Sequence, residues 1–381
     1  MIYLDYAATS PVRSEVVEII NNSLSFDFGN PSSIYRIGKS NKVKLIQARQ
    51  SMAKHLNIKP SQLFYTSGAT EANNWAIMHQ AYRSKELGLG HHIVSTSIEH
   101  PSVKKVLEHL ESDGFEVTYL NPNADFELTT AMFLEASQSQ TIGWVAMAVN
   151  NEVGSILPIN EIGQVAQAKG LWFHVDTVQA IGHIDISEMT PYTTSFVGSA
   201  HKFGGPKGIG FMVYQPWNDQ MFLKPFVYGG GQENQLRSGT ENVAYILGMA
   251  EALNLAFQEL QDQYHQSKFF RKIIIESLNI HEIAYEINGD PKQHVPHVLN
   301  VWFPDYDASQ LLIKLDLNDI YVSAGSACSA GSVKDSDILK AYYPTDSDRW
   351  HQSIRISMGY QTTETDINLF IQSLIQIMKG K

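Results

Sequence analysis

One cysteine, Cys328, stands in 381 residues. That excludes an internal disulfide and any metal or cluster site built from several thiolates. No apolar run approaches the ~20 residues that span a bilayer, so no transmembrane helix is expected. The opening residues Met1-Ile2-Tyr3-Leu4-Asp5-Tyr6 lack the basic stretch and apolar core of a secretory leader, and the expected location is the cytoplasm. Positive charge is in deficit: 28 Lys and Arg against 39 Asp and Glu leave a net charge of −11. Direct binding to nucleic acid or to an anionic membrane, which relies on a basic surface, is therefore not expected. Internal repeats, low-complexity tracts and long Pro/Ser linkers are absent too. What remains, 43% hydrophobic and 18% charged residues, is the composition of an ordinary globular protein with room for one large unit and one smaller.

The chain alternates. Helix-like stretches fall near 14–25, 40–56, 70–82, 101–112, 160–169 and 241–262. Short β-rich runs lie at 63–66, 92–95, 116–119, 143–148, 171–175, 195–198 and 210–214. Apolar strands separated by amphipathic helices predict an α/β fold, a mostly parallel central sheet covered by helices on both faces. After about residue 262 the pattern changes to polar helix-like stretches (258–279 and 364–379) around shorter strands such as 298–302. We read residues 15–257 as a large domain, and 1–14 with 258–381 as a smaller α/β C-terminal domain.

Ligands of such sheets gather at the carboxyl ends of the strands, and five features fall there. Thr66-Ser67-Gly68-Ala69-Thr70-Glu71, between a strand and a helix, suits a phosphate, although small polar residues there also read as plain N-caps. Ile98-Glu99-His100-Pro101 offers a histidine that could equally be structural. Val149-Asn150-Asn151-Glu152-Val153-Gly154 is a polar cluster that a turn would also explain. His174-Val175-Asp176-Thr177-Val178-Gln179 ends an apolar strand on an aspartate, which is costly to bury without a cationic partner such as a protonated pyridine nitrogen. Ser199-Ala200-His201-Lys202-Phe203-Gly204 puts a lysine directly after a strand, where a desolvated amine can attack a carbonyl, although most lysines are surface residues and Lys207 lies nearby. Phosphate cradle, histidine, asparagine, aspartate and lysine, in this order and each at a strand end, point to pyridoxal 5'-phosphate (PLP).

With these motifs in place the chain closely resembles the cysteine desulfurases, of the class V aminotransferase-like branch of fold-type I PLP-dependent transferases. The resemblance runs from Tyr3-Leu4-Asp5-Tyr6-Ala7-Ala8-Thr9 through Phe28-Gly29-Asn30-Pro31-Ser32 to Ile354-Arg355-Ile356-Ser357. It implies that Lys202 holds the cofactor covalently, that Asp176 pairs with its ring nitrogen and Gln179 with its ring oxygen, and that His100 stacks on the ring and assists proton transfer. It implies that Ala69, Thr70, Ser199 and His201 hold the phosphate, and that Thr240, in Arg237-Ser238-Gly239-Thr240-Glu241-Asn242, reaches it from the neighbouring subunit of a homodimer. Asn30, Asn151 and Arg355 would bind the L-cysteine substrate. No metal site is implied.

Cys328 sits in Ser323-Ala324-Gly325-Ser326-Ala327-Cys328-Ser329-Ala330-Gly331-Ser332, all small residues with nothing to anchor a core. A loop over about 323–335 is expected to be mobile, as a thiol must be that meets first a buried substrate and then an external acceptor. The resemblance implies that Cys328 attacks the substrate sulfur and carries it as a persulfide to a protein acceptor, an iron–sulfur scaffold or a tRNA-thiolating enzyme. The usual Leu-Glu-Pro after the cysteine is missing; Val333-Lys334-Asp335 follows Ser332 instead. Three other readings compete. A small-amino-acid aminotransferase would transfer the amino group to a keto acid. A selenocysteine lyase would share the fold. A non-catalytic sulfur carrier would have no need of Lys202, Asp176 and His100.

Overall fold

The computed structural model describes residues 1–325 and 335–380. Twelve strands are present among them: β1 (Ile2–Tyr3), β2 (Leu63–Thr66), β3 (His92–Thr96), β4 (Glu116–Leu120), β5 (Thr141–Met147), β6 (Trp172–Asp176), β7 (Ser195–Ser199), β8 (Gly210–Tyr214), β9 (Glu286–Ile287), β10 (Val298–Trp302), β11 (Ile320–Tyr321) and β12 (Ser353–Ser357). The seven β-rich runs expected before residue 215 are β2 to β8, and they form one sheet in the order β2-β8-β7-β6-β5-β3-β4. The pairs from β4 through β7 are parallel; only β8 runs against its neighbours. The expected α/β architecture is the observed one.

Alternate residues of the parallel strands serve opposite faces, as the two-residue period of a strand requires. Val94, Trp144, Ala146, Phe173 and Val175 pack on one side with Val16, Met52, Ile162 and Met249 from flanking helices. Ile93, Val145 and Trp172 pack on the other with Ile77, Ala81, Val106 and Leu110. Both faces are thus dry, which is why these strands read as continuous apolar runs instead of alternating ones.

A separate core gathers around the antiparallel sheet β12-β10-β9, with Leu299, Val301, Ile354 and Ile356 against Phe270, Ile274, Phe370 and Leu374. Ile2 and Leu4 belong to this core, because β1 pairs in parallel with β11. The continuous pattern read at 241–262 is broken: one helix covers Val243–Gln258 and the next Leu260–Ile280, with Glu259 at the join. No helix among the described residues is long and apolar enough to cross a membrane.

Candidate active site

At the carboxyl ends of β3, β5, β6 and β7 lies a cavity of about 640 Å³. That volume suits a cofactor-sized ligand. Its walls include Ala69, Thr70, His100, Asn151, Asp176, Gln179, Ser199, His201, Lys202 and Arg355, so most of the residues singled out from sequence share one space.

Asp176 ends β6 and is 5% exposed. Its Oδ1 accepts from the Val178 N–H at 3.0 Å and its Oδ2 from Asn73 Nδ2 at 2.9 Å. Behind it a buried relay continues: Asn73 Oδ1 meets His174 Nε2 at 2.9 Å, and His174 Nδ1 meets Ser195 Oγ at 2.8 Å. Burial depresses the His174 imidazole to about 3, so it is a neutral ring holding two partners and not a charge.

Lys202 follows β7. Its Nζ donates to the main-chain oxygens of Ala7 at 2.6 Å and Ala8 at 2.8 Å. Burial, then the positive field of Arg355, lowers its amine to about 8, against the opposing fields of Asp5 and Asp176. A lysine in that range has an accessible neutral form, the form that attacks a carbonyl and takes a proton.

His100 caps the helix Pro101–Ser112, its Nδ1 accepting from the Ser102 backbone N–H at 3.1 Å. An acceptor Nδ1 leaves the proton of the neutral ring on Nε2. Burial lowers this histidine below its usual value, Asp176 opposing and Lys202 reinforcing. Gln179 donates through Nε2 to Ala7 O at 2.9 Å, the oxygen that Lys202 also uses. The helix Ala69–Glu86 has Gly68 at its N-cap and no side-chain cap, so the N-cap reading of Ser67 and its neighbours gives way to a bare helix N-terminus at the cavity wall. His201 meets Thr9 Oγ1 at 3.1 Å through Nδ1.

Arg355 lies in β12, donating to Asn151 O at 2.9 Å and to Asp5 Oδ1 at 2.7 Å. Three buried atoms of cavity-lining residues, Arg355 Nε, Asn151 Oδ1 and Glu99 Oε2, have no partner among the described residues. Unpartnered buried polar atoms are rare, and here they converge on one space. The whole arrangement matches a ligand with an acidic ring N–H at Asp176, an electrophilic carbon at Lys202 and an anion at the helix N-terminus.

Two expected residues lie elsewhere. Asn30 and Thr240 line a different cleft together with Phe28, Gly29 and Pro31. Cys328 falls outside the described residues, as does most of the loop expected to be mobile. Sequence reasoning passed over Asp5, Asn73, Glu99, Glu152, Ser102 and the Ala7 and Ala8 carbonyls. For the two glutamates the signal was present, since both stand inside motifs already singled out.

Residues 2–370 match the model of the family described as aminotransferase class-V. A putative cysteine desulfurase IscS 1 of Bacillus subtilis is 39% identical over 378 residues, covering 99% of this chain and 98% of its own. The chain belongs to the cysteine desulfurase branch of the class-V aminotransferase family. A solved structure of a NifS-like protein superposes on this desulfurase-family chain with a TM-score of 0.91, at 30% identity and over 100% of both chains. Another, SspA in complex with cysteine, has a TM-score of 0.79 and 31% identity, covering 94% of this chain and 99% of its own.

Proposed function

We propose that this chain is a PLP-dependent cysteine desulfurase, converting L-cysteine and the Cys328 thiol into L-alanine and a Cys328 persulfide. In that exchange the substrate carbon–sulfur bond breaks, a sulfur–sulfur bond forms, and the proton count balances. The observation that carries the reading is the sharing of one cavity by a lysine amine lowered to about 8, the buried Asp176 and the Arg355 guanidinium. Its walls also include Gly325 and Ile338, one on either side of the Cys328 segment.

Lys202, Asp176, Gln179, His100 and Asn151 would hold PLP, with Ala69, Thr70, Ser199 and His201 at its phosphate. Bound there, PLP supplies an electron sink for charge that develops at the substrate α-carbon. Arg355, with Asn151, receives the substrate carboxylate. Lys202 Nζ would take the α-proton, and the Ala7 and Ala8 carbonyls fix the position of that atom beforehand. His100 Nε2 is the second proton carrier. In this reading residues 15–257 frame the cofactor, while 1–14 and 258–381 supply Arg355 and the thiol.

The cleft holding Asn30 and Thr240 includes exposed Phe28 and Leu24, and Phe26, Ile34 and Tyr35, close to them in sequence, are exposed as well. An apolar surface of this kind supports a homodimer in which Thr240 and Asn30 serve the neighbouring cavity. The persulfide would pass to a protein acceptor, an iron–sulfur scaffold or a tRNA-thiolating enzyme.

Mass spectrometry of the protein mixed with PLP and L-cysteine, without reductant and with parallel alanine assay, tests the reading. One added sulfur on the Cys328 peptide with matching alanine supports it. Amino-group transfer to a keto acid, with no persulfide, would replace it with an aminotransferase.

A further inference from the structure

Glu152 follows Asn151 and is 2% exposed, yet neither the cofactor nor the substrate has a use for it in the mechanism above. A buried carboxyl without a cationic partner is costly, so its position needs a reason. Its Oε2 accepts from Ser336 Oγ at 2.5 Å. Ser336, itself 1% exposed, caps the helix Asp337–Tyr342 by accepting from the Leu339 N–H at 3.0 Å. On the other side stands Gly325: a Cβ built there would lie 3.1 Å from Glu152 Oε2 and 3.1 Å from Ser336 Cβ, and its φ of +59° is one that favours glycine. Gly325 and Ser336 flank the Cys328 segment in sequence: Ser336 bonds the carboxyl, and Gly325 lies so close to it that a side chain there would crowd it.

The surroundings fix the carboxyl in turn. The Glu152 N–H donates to Asn150 Oδ1 at 2.9 Å, and its carbonyl accepts from Asn300 Nδ2 at 3.1 Å. Two residues before Gly325, Ser323 exchanges two main-chain hydrogen bonds with Arg355, at 3.1 and 2.6 Å. Burial raises the Glu152 carboxyl above its ordinary range, the Ser336 hydroxyl and Arg355 opposing.

We propose that Glu152 is the positioning residue that holds Ser336 by a hydrogen bond and Gly325 by close packing, the described residues that flank the Cys328 segment, at the cavity wall. The clamp deepens the desulfurase reading and rests on it for its purpose: the thiol must be delivered beside Arg355, and Glu152 keeps the flanking Ser336 and Gly325 close to Asn151 and Arg355. Glu152 stands in the cavity wall, and its Oε2 is taken up by Ser336.

Hydrogen exchange measured on peptides covering 321–325 and 335–342 of the holoenzyme tests the clamp without turnover. Glu152→Ala is expected to speed exchange in 335–342 by roughly tenfold, the worth of one buried hydrogen bond to an acid, and to a smaller extent in 321–325, where only packing is lost, while Glu152→Gln, which keeps an oxygen for Ser336, stays within about twofold of the parent. Ser336→Ala, which removes one oxygen from the opposite side, is expected to speed exchange in 321–325, a peptide it does not belong to. Persulfide formation on Cys328 should slow roughly tenfold in Glu152→Ala, with KM for L-cysteine and PLP binding unchanged and with recovery in Glu152→Gln. Parent-like exchange in Glu152→Ala and Ser336→Ala, or an equal rise across the whole chain, overturns the clamp. A rise in KM with no loss of rate overturns it too, by moving Glu152 to substrate binding. A parent protein that forms no persulfide overturns the desulfurase reading instead, and the exchange data still decide the clamp.

Discussion

Asp5 and Arg355, 350 residues apart in sequence, form an ion pair at 2.7 Å in which the guanidinium is almost wholly buried and the carboxylate only partly so. The arrangement leaves Arg355 Nη2 on Asp5, Nη1 on the Asn151 carbonyl and Nε without a partner among the described residues. The fork is held in one plane before any substrate arrives. An incoming carboxylate therefore meets a preset donor, and entropy that would be lost in ordering a free side chain is already spent.

Arg355→Lys removes the fork and keeps the charge. We expect KM for L-cysteine to rise roughly 10- to 100-fold, the worth of a charge-assisted hydrogen bond, with a smaller change in kcat. Steady-state kinetics at fixed PLP check this, and a KM within threefold of the parent would remove Arg355 from substrate binding.

Lys202 in the cofactor-free protein is expected to react with an amine-directed reagent with a pH midpoint near 8, since burial and Arg355 lower it from 10.5 to about 8. Asp5 opposes that shift. Asp5→Asn deletes a negative charge that favours the ammonium form, so its midpoint must move further down, not up. Peptide mass spectrometry across a pH series reads both, and an upward move would contradict the electrostatics described.

Asn73→Ala cuts the relay behind Asp176 at its last link, leaving Oδ2 without the Nδ2 donor now at 2.9 Å. Asp176 then loses its fixed orientation. PLP affinity of the apo-protein, followed by absorbance titration, should fall roughly 10-fold or more. Unchanged affinity would reduce the relay to core packing.

The same relay makes acid a denaturant. His174 is fully buried and lowered from 6.5 to about 3. In the unfolded chain it takes a proton below pH 6.5 and in the native state it does not, so its stabilising effect is complete above about 6.5 and is lost as pH falls. Between pH 6.5 and about 4.5 this one group accounts for at most about 3 kcal/mol. His174→Gln should flatten the acid limb of thermal stability; superimposable limbs would rule the group out.

Legibility followed the chemistry of each signal. The large sheet was readable because short, nearly continuous apolar runs, such as 143–148 and 171–175, leave few alternatives once both faces are dry. Lys202, Asp176, His100 and Asn151 were readable because strand ends are where such sheets place ligands. Asn73 was not, since a polar residue in the first turns of a helix looks like surface until the helix is laid on the sheet. Nor were the Ala7 and Ala8 carbonyls, because a main-chain acceptor has no residue-type signature. Glu99 is raised to about 8 by complete burial, and burial of an acid is a tertiary fact that a motif does not carry. Asn30 and Thr240 matched the family pattern, but one chain sets them in another cleft.

The N-terminal segment has a temporal consequence. Ala7 N–H bonds Ser357 Oγ at 2.9 Å, and Ala7 O bonds the Lys202 amine. Residues 1–10 emerge from the ribosome long before β12, and although Gln179, His201 and Gly204 can receive part of them, their seat is complete only when β12 has emerged. Contacts this distant in sequence form late in folding. The carbonyl anchors of the reactive lysine thus stay incompletely held until late in synthesis, and a product cut short before β12 carries every strand-end motif with those anchors lacking their Ser357 tie.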